Sequence, residues 1–205
     1  MKKVLLFLTG LILLSMVTNA QKSTAKCYDE NTKILNLGIG LGNPYYSFND
    51  GPGYTSHNSP ALSLSYEQAW PKRLGPGYMG VGAYLGFQRA SYEWNYTYYY
   101  GTNYNEKHSY NNIMIASRAA YHWDGLNFEK ADIYGGVILG FRIEADNYTS
   151  SDPNYSGHAN YSETHINLAY SLFAGARYYF TPKFSVFGEL GYGISYLTVG
   201  VGFKL

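Results

Sequence analysis

From about residue 32 to the C-terminus, apolar positions recur at every second residue, which is the pattern of a β-strand whose two faces meet different surroundings. One segment shows it plainly. Met79, Val81, Ala83, Leu85 and Phe87 share a face, while Gly80, Gly82, Tyr84, Gly86 and Gln88 share the other. The same phase runs through Leu35–Leu41, Leu62–Tyr66, Ile113–Tyr121, Ile133–Ile143, Ile166–Ala174, Phe184–Leu190 and Leu197–Leu205. No helical stripe interrupts these segments. The pattern predicts an all-β chain of eight strands. Connections over 43–59, 92–110 and 146–162 are long, whereas those over 71–76, 124–130 and 181–183, and the last link near 191–193, are short. Such alternation describes an eight-stranded antiparallel up-and-down transmembrane β-barrel with both chain ends on the short-turn rim.

The less apolar face is built largely of Gly, Ala and Ser, which suit the crowded interior of a narrow barrel better than a solvated surface. Glu67, Arg118, Arg142, Arg177 and Glu189 share that inner phase. An arginine facing lipid at mid-bilayer costs roughly 2–4 kcal/mol, which accounts for their common side. With Glu144 these residues form an expected lumen ion-pair network that fills the barrel, because desolvated charges require partners. Five positions break the rule: Gly135, Gly188 and Gln68 fall outward, Phe173 and Phe187 inward. Trp70, Tyr121, Trp123, Tyr178, Phe180, Phe184 and Phe203 collect where the outer phase reaches the short turns, the position of an interfacial aromatic girdle.

The N-terminus adds the compartment. Lys2 and Lys3 precede an apolar run from Val4 to Val17, shorter than the ~20 residues of a spanning helix, and Thr18 and Ala20 are small enough for a cleavage site. Residues 1–20 therefore read as a signal peptide cleaved near Ala20, 21–31 as a short periplasmic tail, and 32–205 as the barrel, placing the protein in a bacterial outer membrane. With 46% hydrophobic and 14% charged residues the chain is not a disordered one, and 24 Tyr with 23 Gly favour β-structure. The formal charge of +1 includes Lys2 and Lys3, so the processed chain sits near −1, with no basic stripe for nucleic acid. Cys27 is the single cysteine, so no internal disulfide forms. It reads as a free thiol in a flexible tail.

The segment from Tyr92 through Trp94, Tyr96, Tyr98 and Tyr100 keeps its period of two beyond the length a membrane strand needs. After a turn at Gly101-Thr102-Asn103, Tyr104, Glu106, His108 and Tyr110 return in the same period. This predicts a hairpin standing above the membrane, with Tyr92, Trp94, Tyr96, Tyr98, Tyr100 and Tyr104 as a surface for an extracellular protein or glycan; a self-packed shield against lipopolysaccharide is the other reading. His57 with Ser59, and His108 with Ser109, are the candidate nucleophile and base pairs, and neither lies in a recognisable motif. The scattered histidines have no metal-ligand spacing. The expectation is a non-enzyme with no catalytic residues, no metal and no cofactor.

With its export signal, eight alternating strands and aromatic end, the chain over 32–205 resembles the small outer-membrane β-barrels of the OmpA/OmpX type. The final strand, with Val199, Val201, Phe203 and Leu205, resembles the assembly signal of that family, departing from it at Leu205 where an aromatic is usual. The resemblance implies a monomer surrounded by outer-membrane lipid and lipopolysaccharide, handled by periplasmic chaperones and the barrel assembly machinery, with a structural or surface-recognition role. It also brings in two alternatives: a lipid A-modifying barrel enzyme, either hydrolase or acyltransferase, and a narrow or gated pore.

Overall fold

The computed structural model describes residues 27–46, 53–97, 101, 103–124, 128–152 and 160–205. Residues 1–20, Tyr98 and Tyr100 lie outside these. The described chain forms nine strands: β1 (Lys33–Leu41), β2 (Tyr54–Asn58), β3 (Ala61–Leu74), β4 (Gly77–Thr97), β5 (Asn103–Trp123), β6 (Ala131–Ser150), β7 (Tyr161–Tyr179), β8 (Phe184–Gly191) and β9 (Leu197–Lys204). All pairings are antiparallel, and β4 pairs with both β3 and β5, which closes eight strands into a barrel. The ninth strand, β2, arises inside the connection expected over 43–59. It continues the sheet beside β4 beyond the end of β3, because Tyr54–Asn58 pairs with Ala90–Trp94.

Paired residues define how the barrel closes. Crossing from Ala176 through Gly188, Val199, Ile39, Leu62, Phe87, Ile113 and Ile143 returns to β7 at Ile166, a stagger of ten residues between 176 and 166. A staggered closure of this kind requires tilted strands. Burial follows the alternation: Asn36, Glu67, Tyr84, Met114, Arg118, Tyr134, Phe173 and Arg177 are buried, while Leu37, Leu64, Leu85, Ile115, Val137 and Leu172 are exposed on the outside. The outward apolar residues thus make a continuous belt.

Both inward phenylalanines have a local reason. Phe173 pairs across to Gly136 and Phe187 to Gly200. A Cβ on Gly136 would stand 2.7 Å from the Phe173 ring, and one on Gly200 2.7 Å from the Phe187 ring. Each ring therefore covers a cross-strand glycine, a known way of packing over the gap glycine leaves in a sheet. Outward Gly188 has nothing within 4 Å of where a Cβ would be.

The wall is uneven in height. Strands β4 and β5 have 21 residues each, β6 has 20 and β7 has 19, but β8 and β9 have 8 and β1 has 9. On one side, therefore, β2 and β4–β7 rise as a five-stranded sheet beyond the ends of β1, β8 and β9. The link between β8 and β9 folds inward, so that Ile194 is buried with Tyr84, Met114, Ile138 and Phe173. At the opposite rim the chain before β1 differs from the expected free tail. Tyr28 is buried and its ring stacks on His122 at 3.6 Å, and Cys27 Sγ lies 2.8 Å from Glu129 O. Burial pushes the Cys27 thiol up to about 12. The described part of that tail is a stopper in the barrel end.

Candidate functional site

Two groups of polar residues occupy the barrel axis, separated by the apolar layer around Tyr84, Met114, Ile138, Phe173 and Ile194. The first lies towards the short-turn rim. Arg118 grips Glu189 with two guanidinium nitrogens at 2.6 and 3.1 Å, reaches Glu67 Oε2 at 3.3 Å, and rests over the Phe173 ring at 4.0 Å. Tyr134 Oη donates to Glu189 at 2.9 Å. The ring nitrogens of His122 lie 2.7 Å from Glu67 and 2.9 Å from Asp132. Arg177 then donates to Asp132 at 3.3 Å and to Asn36 at 3.1 Å. Glu189, Arg118, Glu67, His122, Asp132 and Arg177 thus form one chain of contacts, and an imidazolium at His122 makes three cations for three carboxylates.

The sequence places Arg118, Glu67, Glu189 and Arg177 here, but the partner of Arg177 is Asp132 rather than a glutamate. Asp132 and His122 both sit in the inner phase and were legible there; what no spacing reveals is that β5 and β6 bring them face to face. Arg142 and Glu144 are not part of this cluster. They lie on the other side of the apolar layer, joined at 2.6 Å, with Arg142 also donating to Asn112 at 2.7 Å and lying over the Tyr45 ring at 4.1 Å. Tyr46 Oη donates to Glu144. The expected single network is two. Two cavities between the inward side chains are small, about 20 Å³ beside Tyr28 and His122 and about 20 Å³ beside Ile194.

The residues expected to form a girdle, Trp70, Tyr121, Trp123, Tyr178, Phe180, Phe184 and Phe203, all lie at or near the short-turn rim. Trp70, Trp123, Phe180 and Phe203 are exposed outward, and Tyr178, Phe180, Phe184 and Phe203 form a run of ring contacts at 5.2, 6.3 and 5.3 Å. Tyr121 Oη donates to Leu74 O at 2.8 Å, tying β5 to the end of β3.

Above Arg142 the five-stranded sheet is two-faced. Tyr92, Trp94, Tyr96 and Tyr104 continue the inner phase of Gln88 and Asn112, so they face the barrel mouth. Registration assembles a row across four strands: Tyr92 pairs with His108, His108 with Tyr148, and Tyr148 with Tyr161. Their rings approach at 4.8, 4.5 and 5.5 Å. The next row brings Tyr54 onto Trp94 at 5.4 Å, and Trp94 meets Tyr96 at 4.4 Å. Tyr46 crosses the mouth to stack on Tyr110 at 4.5 Å. Hydroxyls and carboxylates interleave, with Tyr96 Oη 3.2 Å from a carboxylate oxygen of Glu106 and of Asp152, either of which can accept its one proton. The reverse face carries small polar residues such as Ser91, Asn95, Asn105 and Asn147. There Lys107 pairs with Glu93 and holds its carboxyl below the usual carboxylate range.

The nucleophile and base pairs are not assembled. His108 and Ser109 are adjacent in β5 and so point to opposite faces. Ser59 Oγ accepts from the Arg89 backbone N–H at 2.9 Å, with no contact to His57.

Fold and side chains together define a closed antiparallel barrel with a salt-bridged core, an apolar outer belt and an aromatic mouth. Two solved structures of Ail, the attachment invasion locus protein of Yersinia pestis, are similar to it, one of them in complex with the heparin analogue sucrose octasulfate. Each is 12% identical, over 84% of this chain and 93% of theirs, with TM-scores of 0.38 for the complex and 0.39 for the other. No family model and no curated protein matches the chain.

Proposed function

We propose that this chain is an exported outer-membrane barrel whose interior is packed shut and whose tall aromatic sheet recognises a partner outside the cell. The outer belt supports the location: alternating Leu, Ile, Val and Phe side chains are exposed all round the barrel, and only hydrocarbon solvates such a surface without penalty. The aromatic residues at the short-turn rim serve as the interfacial girdle. The observation that carries the recognition role is the cross-strand row Tyr92–His108–Tyr148–Tyr161 with Trp94 and Tyr96 above it. Rigid rings offer contact area at low entropic cost, and the carboxylates among them add directional hydrogen bonding. The partner is an extracellular protein or glycan, and the chain acts without catalysis.

Replacing Tyr92, Trp94, Tyr96 and Tyr104 together with serine tests the reading. The variant is expected to keep the heat-modifiable gel shift of a folded barrel, since these residues lie outside the ring closure, and to lose attachment of expressing cells to host surfaces. Undiminished attachment by a folded variant refutes the recognition role.

A further inference from the structure

Among the described residues, one strand edge in the barrel wall has no partner strand where the apolar belt is still present. Strand β7 pairs with β6 along Tyr161–Tyr178, yet β8 reaches only Phe173–Tyr179. Tyr192 N–H closes on Leu172 O at 3.0 Å. Among the described residues no strand lies on the other side of Ser162–Ser171. The outward side chains of this stretch, Ile166, Leu168, Tyr170 and Leu172, are 65–68% exposed. Ile166 pairs with Ile143, Leu168 with Phe141 and Tyr170 with Leu139, so the edge lies at the height of the belt. An unpaired strand edge is not tolerated against hydrocarbon, only where it lines a hydrated cleft or meets a polar partner.

A second copy does not fit that edge. Two copies in one membrane share an orientation, and strands tilted by about 35–45° then run parallel in sense and cross steeply under a rotation about the membrane normal, leaving no ladder. The edge opens instead onto the inner face of the tall sheet. Behind it, Asn167 pairs with Arg142, His165 with Glu144 and Glu163 with Asp146. Arg142 is already engaged by Glu144, and His165 lies 3.5 Å from Glu163. Carboxylates therefore outnumber cations, and the cleft disfavours an anionic head. Carboxylate acceptors, the Asn167 amide and the alternating N–H and C=O groups of a bare edge suit a polyhydroxylated group, which both donates and accepts.

We propose that the gap between β7 and the short β8–β9–β1 wall is a lateral cleft that admits the uncharged sugar head of an outer-leaflet amphiphile while its acyl chain stays against Leu168, Tyr170 and Leu172. The proposal rests on the membrane reading above and goes beyond the extracellular role of the aromatic sheet.

Adjacent positions of opposite phase provide the test. The full mature chain carrying either Asn167→p-benzoylphenylalanine or Leu168→p-benzoylphenylalanine is placed in phosphatidylethanolamine vesicles doped with diglucosyl diacylglycerol or, at equal mole fraction, phosphatidylglycerol, and irradiated. Position 168 is expected to give lipid adducts in both mixtures alike. Position 167 is expected to give adducts chiefly with the diglucosyl lipid, by several-fold. Adducts at 168 with none at 167 overturn the cleft, and a preference at 167 for phosphatidylglycerol overturns the head-group assignment. Adducts joining two copies of the chain overturn the amphiphile as occupant. Absence of lipid adducts at both positions refutes the membrane reading itself.

Discussion

Arg118 illustrates how a residue in this barrel acquires its weight. It is almost wholly buried, held by Glu67 and Glu189 and covered by Phe173. Truncating one member of a buried ion pair strands the other charge, at a cost of about 3–5 kcal/mol. Arg118→Ala is therefore expected to lower the urea midpoint of the detergent-folded barrel sharply, while Arg142→Ala, in the separate pair nearer the mouth, lowers it less. Equal midpoints for the two variants contradict the division into two clusters. Cys27 is a second case. A thiol with its pKa raised to about 12 holds little thiolate at pH 8, and thiolate is the reactive form. Its reaction with an aromatic disulfide reagent is expected to be far slower in the folded barrel than in urea, with the rate gap narrowing as the pH rises towards the raised value. Equal rates at pH 8 contradict the tucked N-terminus. The presence of a lone cysteine was evident from composition; its environment depends on Phe128 and Glu129, about a hundred residues along the chain.

Among elements, the strands and their phases were legible because the chain meets apolar surroundings on one side and a narrow, polar interior on the other, and a period of two records that contrast directly. The inner phase of Arg118 and Arg177 followed from it. Heights followed only in part. The alternation over 92–110 predicted a hairpin, and β4 to Thr97 with β5 from Asn103 forms it, whereas 146–162 was expected as a long connection and strand extends there to Ser150 on β6 and from Tyr161 on β7. Those stretches are polar and Tyr-rich, and only pairing with neighbours decides between strand and loop there. Likewise β2 exists because Ala90–Trp94 offers it an edge. The pairing of Phe187 with Gly200 is a prediction at this scale. Phe187→Ala uncovers the glycine and opens a cavity, at about 3–5 kcal/mol. Gly200→Val meets the Leu37 carbonyl oxygen, 2.1 Å from where its Cβ would be, and is expected to prevent the heat-modifiable form altogether. Normal folding of the valine variant rules out the register found between β9 and β1.

At the scale of the whole molecule, the proposal of a closed interior can be tested directly. The apolar layer at Tyr84, Met114, Ile138 and Ile194 lies between the two charged clusters, and the inturned β8–β9 link completes it. Purified protein in a planar bilayer is expected to give no steady conductance steps; regular steps that disappear on bulky substitution at Ile194 refute the closed interior. The amino-acid order by itself determined the strand count of the ring, the two faces, the inner phase of the charges and the aromatic rim, because each is written locally in alternation or in the residue types at a strand end. Only the closed tertiary structure decided which charges meet, that Tyr92, Trp94 and Tyr96 look into the mouth in company with Tyr148 and Tyr161, and that β7 has no second partner strand over Ser162–Ser171 among the described residues. These depend on stagger and on the unequal lengths of strands far apart in the chain, and no local pattern encodes a contact that closure of the sheet creates.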